Sequence, residues 1–222
     1  MACLRAEAAS LFGRSCAEAY RTRGARLRRV VAKPMFFVSL PSDDQVRALL
    51  RKRADAPCTH RDVGLSEREL EVAPKGFVLD RYGTELGEGR DLFERASAVL
   101  ARFGNYPSSF TRVVRAEGEL EVGHLFATVA KHLGFASMHP CRVLYVAREE
   151  SRFGFGFGTL PGHAESGEER FMVRLDGTRV RYEVQAFSRP HGVFGQLGAP
   201  VGRRYQLRFQ HETLAAMRAA CA

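Results

Sequence analysis

Residues 153–163 read Phe153-Gly154-Phe155-Gly156-Phe157-Gly158-Thr159-Leu160-Pro161-Gly162-His163. Successive side chains of a β-strand point to opposite faces. As a strand, this stretch places Phe153, Phe155 and Phe157 on one face and leaves three bare positions on the other. A bare face admits the close approach of a helix, a ligand or another chain, or lets the sheet bend sharply over a phenylalanine core. The glycines are not a dinucleotide fingerprint, which needs a helix to follow with a third glycine near its start. Here the pattern continues as strand and breaks at Pro161-Gly162.

Strands are predicted on both sides of this stretch: Gly76–Tyr82, Phe110–Arg115, Leu120–Val129, Arg142–Glu149, Glu168–Leu175 and Val180–Ser188. Asp176-Gly177 between the last two is a hairpin signal. Ser42-Asp43-Asp44-Gln45 has the form of a capping box and opens a short helix through Arg53. Lys52–Glu71 is charged and irregular. Gly89–Phe103 is predicted as a helix with Leu92, Ala96, Val99, Leu100 and Phe103 on one face and Gly104 as its stop. A last helix spans about 202–220, with Tyr205, Phe209, Ala216, Met217 and Ala220 near one face. A run of antiparallel strands with a separate long helix is an α+β pattern. This order resembles the helix-grip fold of the START and Bet v 1-like proteins, a curved sheet of six to seven strands around a C-terminal helix. That resemblance implies an apolar ligand held between sheet and helix.

Composition narrows the function. The 222 residues carry 34 Lys and Arg against 25 Asp and Glu, a net charge of +9. Most of the excess lies in residues 1–34, which hold eight basic and two acidic residues, whereas the rest carries only +3. The remainder of the chain therefore does not point to a specific nucleic-acid partner. No run of about 20 apolar residues exists to span a membrane as a helix. The five cysteines (Cys3, Cys16, Cys58, Cys141 and Cys221) are odd in number, far apart and without Cys-x-x-Cys spacing. Neither a zinc ribbon nor a disulfide framework is expected, and no cofactor is implied.

Residues 1–34 are rich in Arg and Ala, with Leu4, Ala8, Leu11 and Phe12 at helical spacing. That composition fits a transit peptide, which would send the protein to a plastid or mitochondrion. Alternatively the segment is a tail, or the chain properly starts at Met35 and stays in the cytoplasm. Either way the expected division is a basic leader, 1–34, and one α+β domain, 35–222.

The motifs also carry a resemblance. Gly158-Thr159-Leu160-Pro161-Gly162-His163, Gly167-Glu168-Glu169-Arg170-Phe171 and Phe187-Ser188-Arg189-Pro190 resemble uncharacterised protein family 0548, also called domain of unknown function nineteen-ninety. Gly76-Phe77-Val78, Arg142–Val146 and Gln206 fit the same pattern, so the likeness covers about residues 35–222. The family has bacterial and plant members and no established activity. Its plant members imply a plastid-envelope association and a proposed pore-forming role.

Three functions are open at this point. The first is non-catalytic binding of a small apolar or amphipathic ligand between sheet and helix. Phe171, Val173, Tyr182, Val184 and Ala186 would line the site from the last hairpin, and Phe209 and Met217 from the helix. His163, Glu168 and Arg189 would form a polar rim at one mouth, because alternating strand directions bring Thr159, Glu168 and Arg189 to the same end of the sheet. The second is an organelle-envelope or pore-forming protein with peripheral membrane association. The third is a cyclase- or hydrolase-type enzyme using His163 as its base. His163 lacks a triad partner in the sequence, and it equally serves as a loop anchor. Arg170 and Arg189 are possible anion anchors, or partners of Glu168 and Glu169. His124, His132 and His139 lack zinc spacing and are expected as partly exposed surface residues.

Overall fold

The computed structural model describes residues 34–132, 134–191 and 199–222. The possible helix around Leu4–Phe12 lies outside them. Eight antiparallel strands form one sheet: β1 (Met35–Phe37), β2 (Val78–Glu88), β3 (Thr111–Arg115), β4 (Leu125–Lys131), β5 (Ala136–Arg148), β6 (Arg152–Thr159), β7 (Glu165–Asp176) and β8 (Arg179–Pro190). Among the described residues three α-helices pack on it: α1 (Asp43–Arg51), α2 (Arg90–Ala101) and α3 (Ala199–Cys221). The strand order is β2-β8-β7-β6-β5-β4-β3, with β1 paired to β5. This is the expected α+β, helix-grip architecture: a curved antiparallel sheet with a long C-terminal helix against its inner face. The eighth strand is β1, three residues long and too short to show a period.

The phenylalanine alternation sets the two faces. Phe153, Phe155 and Phe157 join Phe171, Val173, Tyr182 and Val184 in the main core, with Leu92, Ala96 and Leu100 of α2 and Met217 of α3. The glycine positions face the other way and are covered. Tyr145 lies over Gly156, the Met172 sulfur over Gly154, and Cys58 with His60 over Gly158. On that outer face α1 packs Val46 and Leu50 against Val114, Ala127, Val129 and Met138. Ser42 caps α1, accepting from Gln45 N while Gln45 Oε1 accepts from Ser42 N, as the capping box predicts.

The irregular segment 52–76 closes the rest of the outer face, and three buried polar side chains of the sheet hold it there. Arg142 donates to the carbonyls of Arg53, Ala54 and Ala56 at 3.0, 2.6 and 2.9 Å. Glu168 accepts from the backbone of Gly64 and Ser66 at 2.5 and 2.8 Å and lies 2.8 Å from His60 Nε2. Gln185 accepts from Leu70 N and donates to Arg68 O. These bonds supply the partners that an irregular backbone would otherwise take from water.

Several details depart from the sequence reading. The left-handed residue closing α2 is Phe103, at φ 61°, and not Gly104. Phe103 accepts that conformation because its ring is buried 5.0 Å from Phe155 and 4.9 Å from Phe126. In α3 Ala220 is exposed, and Thr213, Met217 and Cys221 form the buried line at i, i+4 and i+8. A bulge between Val143 and Tyr145 in β5 shifts the alternation, so Val143 faces inward whereas Leu144 and Tyr145 both face outward.

Candidate functional site

The inner face is solid at one end and open at the other. At the solid end Val173, Tyr182 and Met217 are fully buried. The Tyr182 hydroxyl there accepts from Asn105 Nδ2 at 2.9 Å and bonds Thr213 Oγ1 at 3.1 Å, and Thr213 donates to Asn105 O at 2.7 Å. Tyr182 thus fastens α3 to the sheet. Toward the first half of α3, the inward-facing residues change character. Glu165 and Glu169 of β7, Ala186 and Ser188 of β8, Tyr82 of β2, Tyr106, Gln206 and Phe209 are all half-buried. Side chains that point into the space between sheet and helix, yet are partly reached by solvent, mark the open end of the inner face.

Its walls are aromatic. Tyr106 lies 5.6 Å from Phe171 and 5.4 Å from Phe209, and Phe157 lies 5.7 Å from Phe171, ring centre to ring centre. Edge-to-face and tilted pairs at such distances favour these contacts beyond their buried area. The polar group set among them is Glu169. The Tyr82 hydroxyl donates to its Oε1 at 3.5 Å, a long bond. Burial, with Glu165 and Asp80 adding repulsion, raises the Glu169 carboxyl to about 8. Burial likewise raises Glu165 to about 7. Near the helix start, Arg203 grips Asp80 with two bonds of 2.6 and 2.7 Å, and Gln206 donates to Glu165. These contacts tie the first turns of α3 to β2 and β7.

His163 sits at the same end as Glu165. Its Nδ1 accepts from Glu165 N at 2.9 Å, and its ring lies 4.9 Å from that of His139. Ser137 Oγ lies between His132 Nε2 and His139 Nε2, at 2.7 and 2.8 Å. Burial lowers His139 to about 4 and holds His163 well below the usual imidazole value. Both rings are therefore neutral at pH 7 and weak as bases. Of the three histidines expected to be partly exposed, His132 and His139 are so and share one hydroxyl, because strand alternation puts Ser137 and His139 on the inner face, whereas His124 is buried. Among the described residues no group of three His, Cys, Asp or Glu side chains converges as for a metal ion.

Of the residues expected from sequence, Phe171, Val173, Tyr182, Val184 and Met217 lie in the inner core, with Phe209 against it. The strand directions hold as well. Gly158 pairs with Glu168, Glu168 with Phe187 and Ser166 with Arg189, all at one end of the sheet. The shared rim nevertheless divides by face. Glu168 is three positions from Phe171, so alternation turns it outward, where it binds the 52–76 segment. Arg189 also points outward and stacks on the Phe77 ring at 4.6 Å. Arg170 is buried on the outer face, near Tyr145, Glu69 and Glu183. Neither Glu168 nor Arg189 faces the open inner end. Glu169, the neighbour of Glu168 in sequence, does. Its signal was parity with Phe171, two positions on.

A raised carboxyl makes stability fall with pH. Glu169 is neutral in the folded chain but ionises near 4.5 when unfolded, so its favourable contribution is complete below pH 4.5 and is lost as pH rises toward 8. Glu169→Gln is expected to leave the melting temperature unchanged at pH 4.5. At pH 8 it should stabilise by on the order of 2 kcal/mol, a figure discounted for partial solvent access. Equal effects at both pH values in a calorimetric scan would contradict this placement of the carboxyl.

Known proteins share both the sequence pattern and the fold. A UPF0548 protein of Deinococcus radiodurans is 33% identical over 204 residues, covering 84% of this chain and 99% of the relative. A UPF0548 protein of Arabidopsis thaliana is 30% identical over 185 residues, covering 76% of this chain and 89% of the relative. Among solved structures, TTHA0849 from Thermus thermophilus superposes with a TM-score of 0.50 at 13% identity, covering 65% of this chain and 97% of that one, a likeness of fold alone. Residues 59–216 match the family described as domain of unknown function, DUF1990, and the chain belongs to that family.

Proposed function

We propose that this protein binds a small, largely apolar, amphipathic molecule in the chamber between the sheet and α3, without chemistry on it. The observation that supports this reading is the set of half-buried, inward-facing residues at the open end: Glu169, Ala186, Tyr82, Tyr106 and Phe209. A core selected only for stability would bury them completely or replace the carboxyl with an apolar group. Apolar walls with a few placed polar groups are the usual make-up of a small-molecule site. The lowered histidines argue against His163 as a base at neutral pH.

The outer face bears on the pore-forming alternative. In a membrane barrel that face meets lipid and is apolar. Here it carries buried Arg142, Glu168, Arg170 and Gln185, the first two and the last of which are bonded to the chain's own 52–76 segment. This arrangement favours the binding reading.

The test is titration with the neutral dye N-phenyl-1-naphthylamine. Saturable fluorescence enhancement at one dye per chain is expected. Ala186 pairs across the sheet with Glu169 and shares its face. Ala186→Phe should fill the chamber and weaken dye binding at least about tenfold, equivalent to about 1.4 kcal/mol. The absence of saturable binding to the unsubstituted protein would overturn the reading.

A further inference from the structure

The charges facing the chamber indicate what kind of molecule it holds. Glu169 is met by Asp80 and Tyr82 of β2, Tyr106 after α2, Cys141 of β5, Glu165 on its own strand and Tyr182 of β8. Each of these is acidic or neutral. From α3, Arg203 is engaged by Asp80 in a two-bond pair. Among the described residues no Lys or Arg pairs with Glu169, and the nearby His139 and His163 rings are neutral. The chamber therefore joins aromatic walls to a carboxyl with no Lys or Arg partner among the described residues.

That combination disfavours anions. A fatty carboxylate or a phosphorylated ligand would enter a space with two Glu side chains, where Arg203, the guanidinium acting on Glu165, is already held by Asp80. It favours a positive charge twice over. A carboxylate deep between rings gains most from a cation brought in with the ligand, and the faces of Tyr82, Tyr106 and Phe209 attract one through their quadrupoles. A neutral ligand would do nothing to offset the cost of ionising Glu169 beside Glu165 as pH rises. Resting on the binding function proposed above, we infer that the ligand is an organic cation: an amphiphile whose protonated or quaternary amine sits against Glu169 while its apolar part lies along Phe171 and Phe209.

Three ten-carbon probes test this by calorimetry: decyltrimethylammonium, decanol and decanoate, each below its micelle concentration. The ammonium is expected to bind at least tenfold tighter than the alcohol at pH 8, and decanoate more weakly than either. Because the bound cation requires ionised carboxylates, ammonium affinity should rise up to tenfold per unit between pH 6 and 8 and then level off. Glu165 ionises in the same window, so the slope belongs to the pair. Glu169→Gln, checked for folding by circular dichroism, should bring the ammonium to the affinity of decanol and leave decanol unchanged. Decanoate binding as tight as the ammonium, or ammonium affinity flat or falling with pH, overturns the cation assignment while leaving a binding chamber in place. That pH slope needs no variant. Failure of decanol and the neutral dye alike overturns the chamber itself.

Discussion

Glu168→Ala is expected to destabilise the protein by about 4 kcal/mol, within the range seen when one member of a buried, bonded polar group is removed. The glutamate is 2% exposed and holds three donors of the covering segment: the His60 ring and the backbone N–H groups of Gly64 and Ser66. Alanine leaves the His60 ring and the Ser66 amide buried, and the Gly64 amide half-buried, without an acceptor, at about 1–3 kcal/mol for each fully buried unsatisfied group. The loss should be read from urea unfolding, with fast amide exchange at Gly64 and Ser66 as its local mark. A loss below about 1 kcal/mol would mean that the segment is held by its apolar contacts alone.

Gly156→Val comes next in size. A Cβ built at Gly156 would lie 2.1 Å from Tyr145 Cζ. The ring has little freedom to swing aside, because its hydroxyl bonds Ser66 Oγ at 3.0 Å beneath the covering segment. Overpacking a closed core costs about 1–3 kcal/mol, and the top of that range, about 3 kcal/mol, is expected here. Gly158→Ala should cost less, since the nearest obstacle is the Cys58 sulfur at 2.9 Å. Parallel denaturant titrations would show the order. A Gly156→Val protein as stable as its parent would mean that the glycine face is open.

What was legible in the sequence follows from local rules. The Phe-Gly alternation set both faces of β6, the capping box placed α1, and Asp176-Gly177 marked a turn that pairs Asp176 with Arg179. Counting strand directions brought Thr159, Glu168 and Arg189 to one end of the sheet, as observed. Contacts across long sequence separations stayed hidden. Glu168 binds backbone amides more than a hundred residues earlier in the chain, and no local pattern announces that an irregular stretch such as 52–76 covers a sheet. The β5 bulge inverts the alternation after Val143, which periodicity alone does not reveal. The site was half legible for the same reason. Phe171, Ala186 and Phe209 were named from the sequence, Tyr82 and Tyr106 were not, and Glu168 was named for the polar rim where parity with Phe171 selects Glu169.

A family of unknown activity supplies no chemistry, and the fold alone is shared with proteins of very low identity. What points to a ligand is instead the Glu169 carboxyl, placed among rings with no Lys or Arg partner among the described residues. Such an arrangement weakens the folded state above neutral pH, as functional sites often do.

Alanine methyl groups report most directly on where a ligand sits. Ala186 pairs with Glu169 at the open end of the inner face, whereas Ala127 and Ala136 pack on the outer face. With methyl-13C alanine and N-phenyl-1-naphthylamine added to saturation, ring currents from dye between sheet and helix should move the Ala186 signal and leave Ala127 and Ala136 in place. Movement of Ala127 or Ala136 with Ala186 fixed would contradict ligand binding between the sheet and the C-terminal helix.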